Sequence, residues 1–292
     1  MKRKTIKLGT LTLAFLLFLL PMGVFADVAE GDSVVSLGAN LTQAQKTQLL
    51  HYFNPPKEAE FIEVTNEEEY RYLGDVVPKS KIGTKAISSV MVTYTKKGSG
   101  LNITLDEHIK YITPATYRNA LITAGVVDAE VSVAAPINVS GTAALTGIMK
   151  AYEHSTGKKI PEEVKKVANE EMVVTSEISE NHGDQKVNDL INTIKVQVAE
   201  KKPKSKEEIR VIINNISNQY NINLTDEQVE KLVQLVSKMQ NANIDWDKVE
   251  KEAKKYSDKA KEYFSSEEGQ QVLEKSKNIF TRFIDWLMSF FK

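Results

Sequence analysis

Ser140, Gly141 and Thr142 stand just ahead of a run of small residues, Ala143, Ala144 and Gly147, at the head of a predicted helix. Two hydroxyls and a glycine at that place suit either of two jobs. One is to cap the first turn with a side-chain oxygen. The other is to hold an anion against the free amides of the helix start. Other chemistries are less well supplied. Ser155 and Lys158 have the serine-to-lysine spacing of penicillin-recognising enzymes, but those enzymes place the serine at a helix start, whereas Gly157 marks a helix end. Gly98, Ser99 and Gly100 lack the outer spacing of a nucleophile elbow and read as a turn.

His51, His108, His154 and His182 lie far apart, and none has a second histidine at the spacing of a helical zinc pair. Asn241, Asn243, Asp245, Asp247 and Glu252 fall at ligand positions of a calcium loop, but Trp246 occupies the place that needs glycine, so Asp245 reads as a helix cap. Glu67, Glu68, Glu69, Asp106 and Glu107 are the acids near the strand-rich part, and solvated helix faces account for them. No catalytic set, metal site or cofactor is expected.

The elements that must position these residues fall into two parts. Lys2, Arg3, Lys4 and Lys7 precede an apolar run over 11–20, and Val24-Phe25-Ala26 precedes Asp27, the pattern of a secretory signal peptide cut between Ala26 and Asp27. The apolar run is shorter than the roughly 20 residues of a spanning helix. Removing residues 1–26 takes four basic and no acidic side chains from a chain of net charge −1, leaving −5. Such a mildly acidic chain offers no electrostatic case for nucleic acid. With no cysteine, an exported chain is held by burial alone.

Residues 27–157 alternate strand and helix signals and are expected to form an α+β domain with a mixed or antiparallel sheet. Thr42 with Gln45 and Thr65 with Glu68 make capping boxes, the first opening a helix that turns Ala44, Leu49 and Leu50 to a core. Val90, Val92 and Tyr94 alternate, then Gly98 and Gly100 turn the chain into Leu101, Ile103 and Leu105, which predicts a hairpin. Thr113-Pro114 opens a helix, and Val131 and Val133 lie on the strand that leads to Ser140.

Residues 158–292 carry helix-period stripes and are expected to form an all-α bundle: Val187, Leu190, Ile191, Ile194 and Val198, then Ile209, Ile212, Ile213 and Ile216, then Val229, Leu232, Val233 and Val236. The last predicted helix places Phe283, Trp286, Leu287, Phe290 and Phe291 on a wide apolar arc. That arc serves as core, as a membrane-surface contact or as a partner contact.

Ser36-Leu37-Gly38-Ala39, Ala86-Ile87-Ser88-Ser89, Lys97-Gly98-Ser99-Gly100-Leu101, Leu121-Ile122-Thr123-Ala124-Gly125-Val126, Val133-Ala134-Ala135-Pro136, residues 139–147, Ala151-Tyr152-Glu153, Leu224-Thr225-Asp226 and Asp245-Trp246 are the segments by which the chain resembles the YpuA-like secreted proteins of Gram-positive bacteria, a domain-of-unknown-function family. The resemblance implies export to the cell envelope or medium and carries no catalytic residues. Together with the residue-level reading it points to a secreted, non-enzymatic binding or scaffold module touching cell wall or membrane surface. A wall-active hydrolase and a protein docking by its last helix are the alternatives.

Overall fold

The computed structural model describes residues 30–75 and 82–256. The expected cleavage site at Ala26 and Asp27, and the arc of Phe283, Trp286, Leu287, Phe290 and Phe291, lie outside them. The sheet is built from two parallel β-α-β units joined through an antiparallel strand. In the first, β1 (Ser33–Gly38) and β2 (Glu60–Val64) pair in parallel across α1 (Gln43–Phe53). The short helix α2 (Asn66–Leu73) follows, then β3 (Ser89–Tyr94), antiparallel to β1. In the second unit, β4 (Leu101–Leu105) and β5 (Ala129–Ala134) pair in parallel across α3 (Pro114–Thr123). The order across the sheet is β2-β1-β3-β5-β4, so the architecture is α+β with a mixed sheet.

The expected hairpin does not form: β5 lies between β3 and β4 and pairs with both. Side chains explain the insertion. Ala129, Val131, Val133 and Ala134 are all buried, so β5 needs a neighbour on each edge, whereas β4 exposes Asn102 and Thr104 and suits the sheet edge. Asp128, in the left-handed region at φ 58°, fixes the junction. Its carboxylate accepts from the Gly100 amide at 2.8 Å, and its carbonyl accepts from the Thr95 amide at 2.9 Å.

Period-two alternation sorts the sheet's two faces. Val34, Val90, Val92, Val131 and Val133 join the large core, while Val35, Leu37 and Ala134 pack with Leu49 and Phe53 of α1. Ala44, expected to point inward, is exposed. On the large face, α4 (Thr142–Thr156) lies directly on β1 and β3. Gly147 makes that approach possible, since a Cβ there would meet Ser36 Oγ at 3.1 Å and Val90 Cγ2 at 3.4 Å.

The remaining described helices are α5 (Glu162–His182), α6 (Asp184–Lys201), α7 (Lys206–Gln219), α8 (Asp226–Asn241) and α9 (Trp246–Tyr256). None of the described helices is long and apolar enough to cross a membrane. Helix α6 packs against α3, α5, α7 and α9, and is buried on every side from Val187 to Ala199. One contiguous apolar cluster runs from Val34 on β1 to Val249 on α9. Asp245 accepts from the Lys248 amide at 3.0 Å, in the manner of a cap.

The capping boxes at Thr42, Thr65 and Thr225 are complete. At the last, Thr225 Oγ1 accepts from the Gln228 amide at 3.2 Å while Gln228 Oε1 accepts from the Thr225 amide at 2.9 Å. Thr225→Ala orphans the first of these donors and is expected to cost about 1 kcal/mol. The urea unfolding midpoint checks this; an unchanged midpoint would mean the cap contributes nothing to stability.

Candidate functional site

Helix α2 is short, and what it presents is set by its first turn. The Thr65 hydroxyl accepts from the Glu68 amide at 3.1 Å, and the Glu68 carboxylate accepts from the Thr65 amide at 2.9 Å. With the start fixed, the helix turns Glu68, Arg71 and Tyr72 to one cleft and Glu69 to another.

The first cleft, of about 310 Å³, lies between α2, α4 and the start of α5. Lys150 of α4 donates to Glu68 at 2.6 Å and to the Glu63 carbonyl at 2.7 Å. Partial burial pushes the Glu68 carboxyl up, but the hydrogen bonds from Lys150 and the Thr65 amide outweigh it and hold the group below its ordinary value. Deeper in, Lys165 of α5 lies 3.0 Å from Glu153 and 3.3 Å from Glu162. It also sits over the Tyr72 ring, 5.4 Å from its centre. Burial lowers the Lys165 ammonium pKa, yet the Glu153 hydrogen bond and its other partners more than reverse that, so the net shift is upward. Glu153 also accepts from the Ile160 amide at 2.7 Å, which ties the chain after α4 to the entry of α5.

The second cleft, of about 270 Å³, holds Ser140, Gly141 and Thr142 together with Glu69. Of the expected side-chain caps only a long contact from Ser140 is made, and none from Thr142. Gly141, in the left-handed region at φ 97°, is the N-cap of α4 and has no side chain to cap with, while the Ser140 hydroxyl one position earlier accepts from the Thr142 amide at a long 3.5 Å. The Ser140 and Thr142 hydroxyls share a hydrogen bond of 3.1 Å, and Thr142 Oγ1 donates to Glu69 Oε1 at 2.7 Å. The Asn66 amide reaches Glu69 Oε2 at 3.3 Å. An acid thus sits by the positive end of α4, and it belongs to the chain itself. Burial raises the Glu69 carboxyl to about 7, against the opposing hydrogen bonds from Thr142 and Asn66.

Glu69 was expected on a solvated face, and it is 1% exposed. The signal was present in the spacing: Glu69, Tyr72 and Leu73 stand at i, i+3 and i+4, all on the buried side of α2. The other acids of that group disperse. Glu67 and Glu107 are exposed, and Asp106 braces its own loop by accepting from the His108 amide at 3.0 Å. Lys150, Glu153 and Lys165, which build the first cleft, were not legible as a set, because their partners come from three separate helices.

A family model described as a protein of unknown function, DUF1002, matches residues 37–256. The uncharacterized protein YpuA of Bacillus subtilis (strain 168) is 43% identical over 290 residues, covering 99% of this chain and 100% of that one. No solved structure matches. The match to the family model runs from the end of β1 through the other four strands, both clefts and the helices through α9, and on that ground the chain belongs to the DUF1002 family of proteins of unknown function.

Proposed function

We propose that this protein is exported and works in the cell envelope as a binding module rather than as an enzyme. The observation that carries the reading is the first cleft. Its carboxylates are tied down as partners of lysines, Glu68 to Lys150 and Glu153 to Lys165, an arrangement that shapes a rigid charged surface instead of freeing a carboxylate to move protons. The basic, then apolar, then small-residue order of residues 1–26 supports export, with Asp27 as the first residue of the mature chain.

Incubating the mature protein with purified cell wall, followed by sedimentation, tests both halves of the reading. The protein is expected in the pellet, with no soluble wall fragments in the supernatant. Failure to sediment would overturn the binding role at the wall, and release of soluble fragments would overturn the non-enzymatic one.

A wall-active hydrolase is the second reading, favoured by one specific feature. Glu69 is buried beside two hydroxyls, with a carboxyl pKa of about 7, as a general acid requires. Against it, Glu69 is the one acid among the described residues lining its cleft, so a second carboxylate is missing there. If fragments are released, Glu69→Gln is expected to abolish their release.

A further inference from the structure

We propose that the cleft between α2, α4 and the start of α5 binds a small ligand bearing an oxyanion, a carboxylate or a phosphate, through Arg71, Lys159 and the Thr146 hydroxyl. The proposal rests on the binding reading above and names the chemistry of what is bound.

The charges in the cleft do not cancel. Lys150 is matched by Glu68, Lys165 by Glu153 and Glu162, and His154 by Glu60. Arg71 and Lys159 line the same cleft with no acidic partner among the described residues. Arg71, Lys150, Lys159 and Lys165 against Glu68, Glu153 and Glu162 leave the lining one net positive charge, and Arg71 and Lys159 are the exposed cations left to meet a negative group. The arginine fork suits a planar carboxylate or a phosphate, both of which accept two parallel hydrogen bonds.

Thr146 is a second, independent pointer. It lines the cleft from α4, is 3% exposed, and its hydroxyl has no hydrogen-bond partner. Farther along the same helix, Ser155 and Thr156 donate back to the Ala151 and Tyr152 carbonyls at 3.0 and 2.7 Å, the usual outlet for a helical hydroxyl. Thr146 does not take that outlet. A buried hydroxyl left unpaired is costly unless something occupies it, and an acceptor oxygen on a ligand would do so. Ile62, Met149 and the ring of Tyr72 supply apolar wall, and the volume of about 310 Å³ suits a ligand of modest size.

Isothermal titration of the mature chain with citrate and, separately, with pyrophosphate tests the site. At least one of them is expected to bind, more weakly at 150 mM than at 20 mM salt, and the preferred one identifies the oxyanion. The Arg71→Gln/Lys159→Gln double variant is expected to lose tenfold or more in affinity, while Lys96→Gln, an exposed charge change outside the cleft, loses less than twofold. Thr146→Val keeps the side-chain volume, and is expected to weaken binding several-fold with its thermal midpoint unchanged or raised, a split that a purely structural threonine would not produce. Binding of neither probe, or an unchanged affinity in the double variant, would overturn the proposal. Wall sedimentation separates the two ideas. If the double variant binds wall as the unaltered protein does, the cleft is not the wall site and the binding module stands. If the unaltered protein does not bind wall, the titration still decides whether the cleft takes an oxyanion.

Discussion

Lys195→Met is expected to destabilise the protein by about 3–5 kcal/mol, enough to remove much of the stability of an ordinary domain. Lys195 is 1% exposed and Glu171 is fully buried, and they meet at 2.8 Å between α6 and α5. The ammonium has three protons and three acceptors: Glu171 Oε1, the Asn119 carbonyl at 2.9 Å and Thr123 Oγ1 at 3.3 Å. Thr123 in turn donates to the other oxygen of Glu171, closing the ring. Desolvation lowers the Lys195 pKa, and the adjacent Glu171 charge opposes that effect. Methionine fills the space but leaves Glu171 as a buried charge with only the Thr123 hydroxyl beside it. Adding Glu171→Leu removes that charge, so the double variant is expected to be more stable than Lys195→Met alone by at least about 2 kcal/mol. Urea unfolding of the unaltered protein, the Lys195→Met and Glu171→Leu single variants and the double variant checks this. Additive losses would show that the pair is not coupled, and a loss below about 1 kcal/mol for the single variant would show that the lysine is not held there.

This pair marks where sequence reading stops. On α6 the apolar residues Val187, Leu190, Ile191, Ile194 and Val198 were legible from their period and are all buried. The same helix also buries Asn188, Asn192 and Lys195, which stand about 100° round the helix from that stripe. A period analysis assigns such residues to water, because it treats a polar side chain as solvated unless a partner is known. The partners here are Asn119 and Thr123 on α3 and Glu171 on α5. Asn119 Nδ2 reaches Asn188 Oδ1 at 2.9 Å, and Asn188 Nδ2 reaches Thr116 Oγ1 at 3.1 Å. Complementarity of that kind belongs to packed helices and cannot be read from either helix alone.

The hairpin failed for a related reason. Gly98 and Gly100 do turn the chain, as their spacing says, and β3 and β4 do run in opposite directions. Which strand takes the space between them depends on how apolar β5 is compared with β4, a competition decided over more than 30 residues. Local signals with local partners survived intact: the boxes at Thr42, Thr65 and Thr225 needed only residues three positions away. The small residues of α4 were likewise legible as a close-packing surface, and Gly147 shows why. What they could not reveal was that the acid beside Thr142 would come from α2, 73 positions earlier in the chain.

Glu69→Gln is expected to leave stability unchanged near pH 4.5 and to raise it by about 2–3 kcal/mol at pH 8. In the folded protein the Glu69 carboxyl titrates at about 7, against an ordinary value of 4.5. Between those two values the folded state holds a proton that the unfolded chain has already released. Stability from this group is therefore fully present below about 4.5, declines as pH rises, and is gone above about 7, where the buried carboxylate must be carried as a charge. Glutamine is close to the neutral carboxyl in shape, and its oxygen can accept from Thr142 Oγ1 as Glu69 Oε1 does at 2.7 Å. It never ionises, so the variant escapes the decline. The quantity to plot is the difference in unfolding free energy between variant and unaltered protein across pH 4–9, which cancels the titration of every group the two proteins share. A curve rising from near zero at pH 4.5 to a plateau above pH 7 supports a desolvated acid at the α4 start. A flat difference would mean that Glu69 is solvated enough to titrate normally. A falling difference would mean that the positive end of α4 outweighs burial and holds the carboxylate charged.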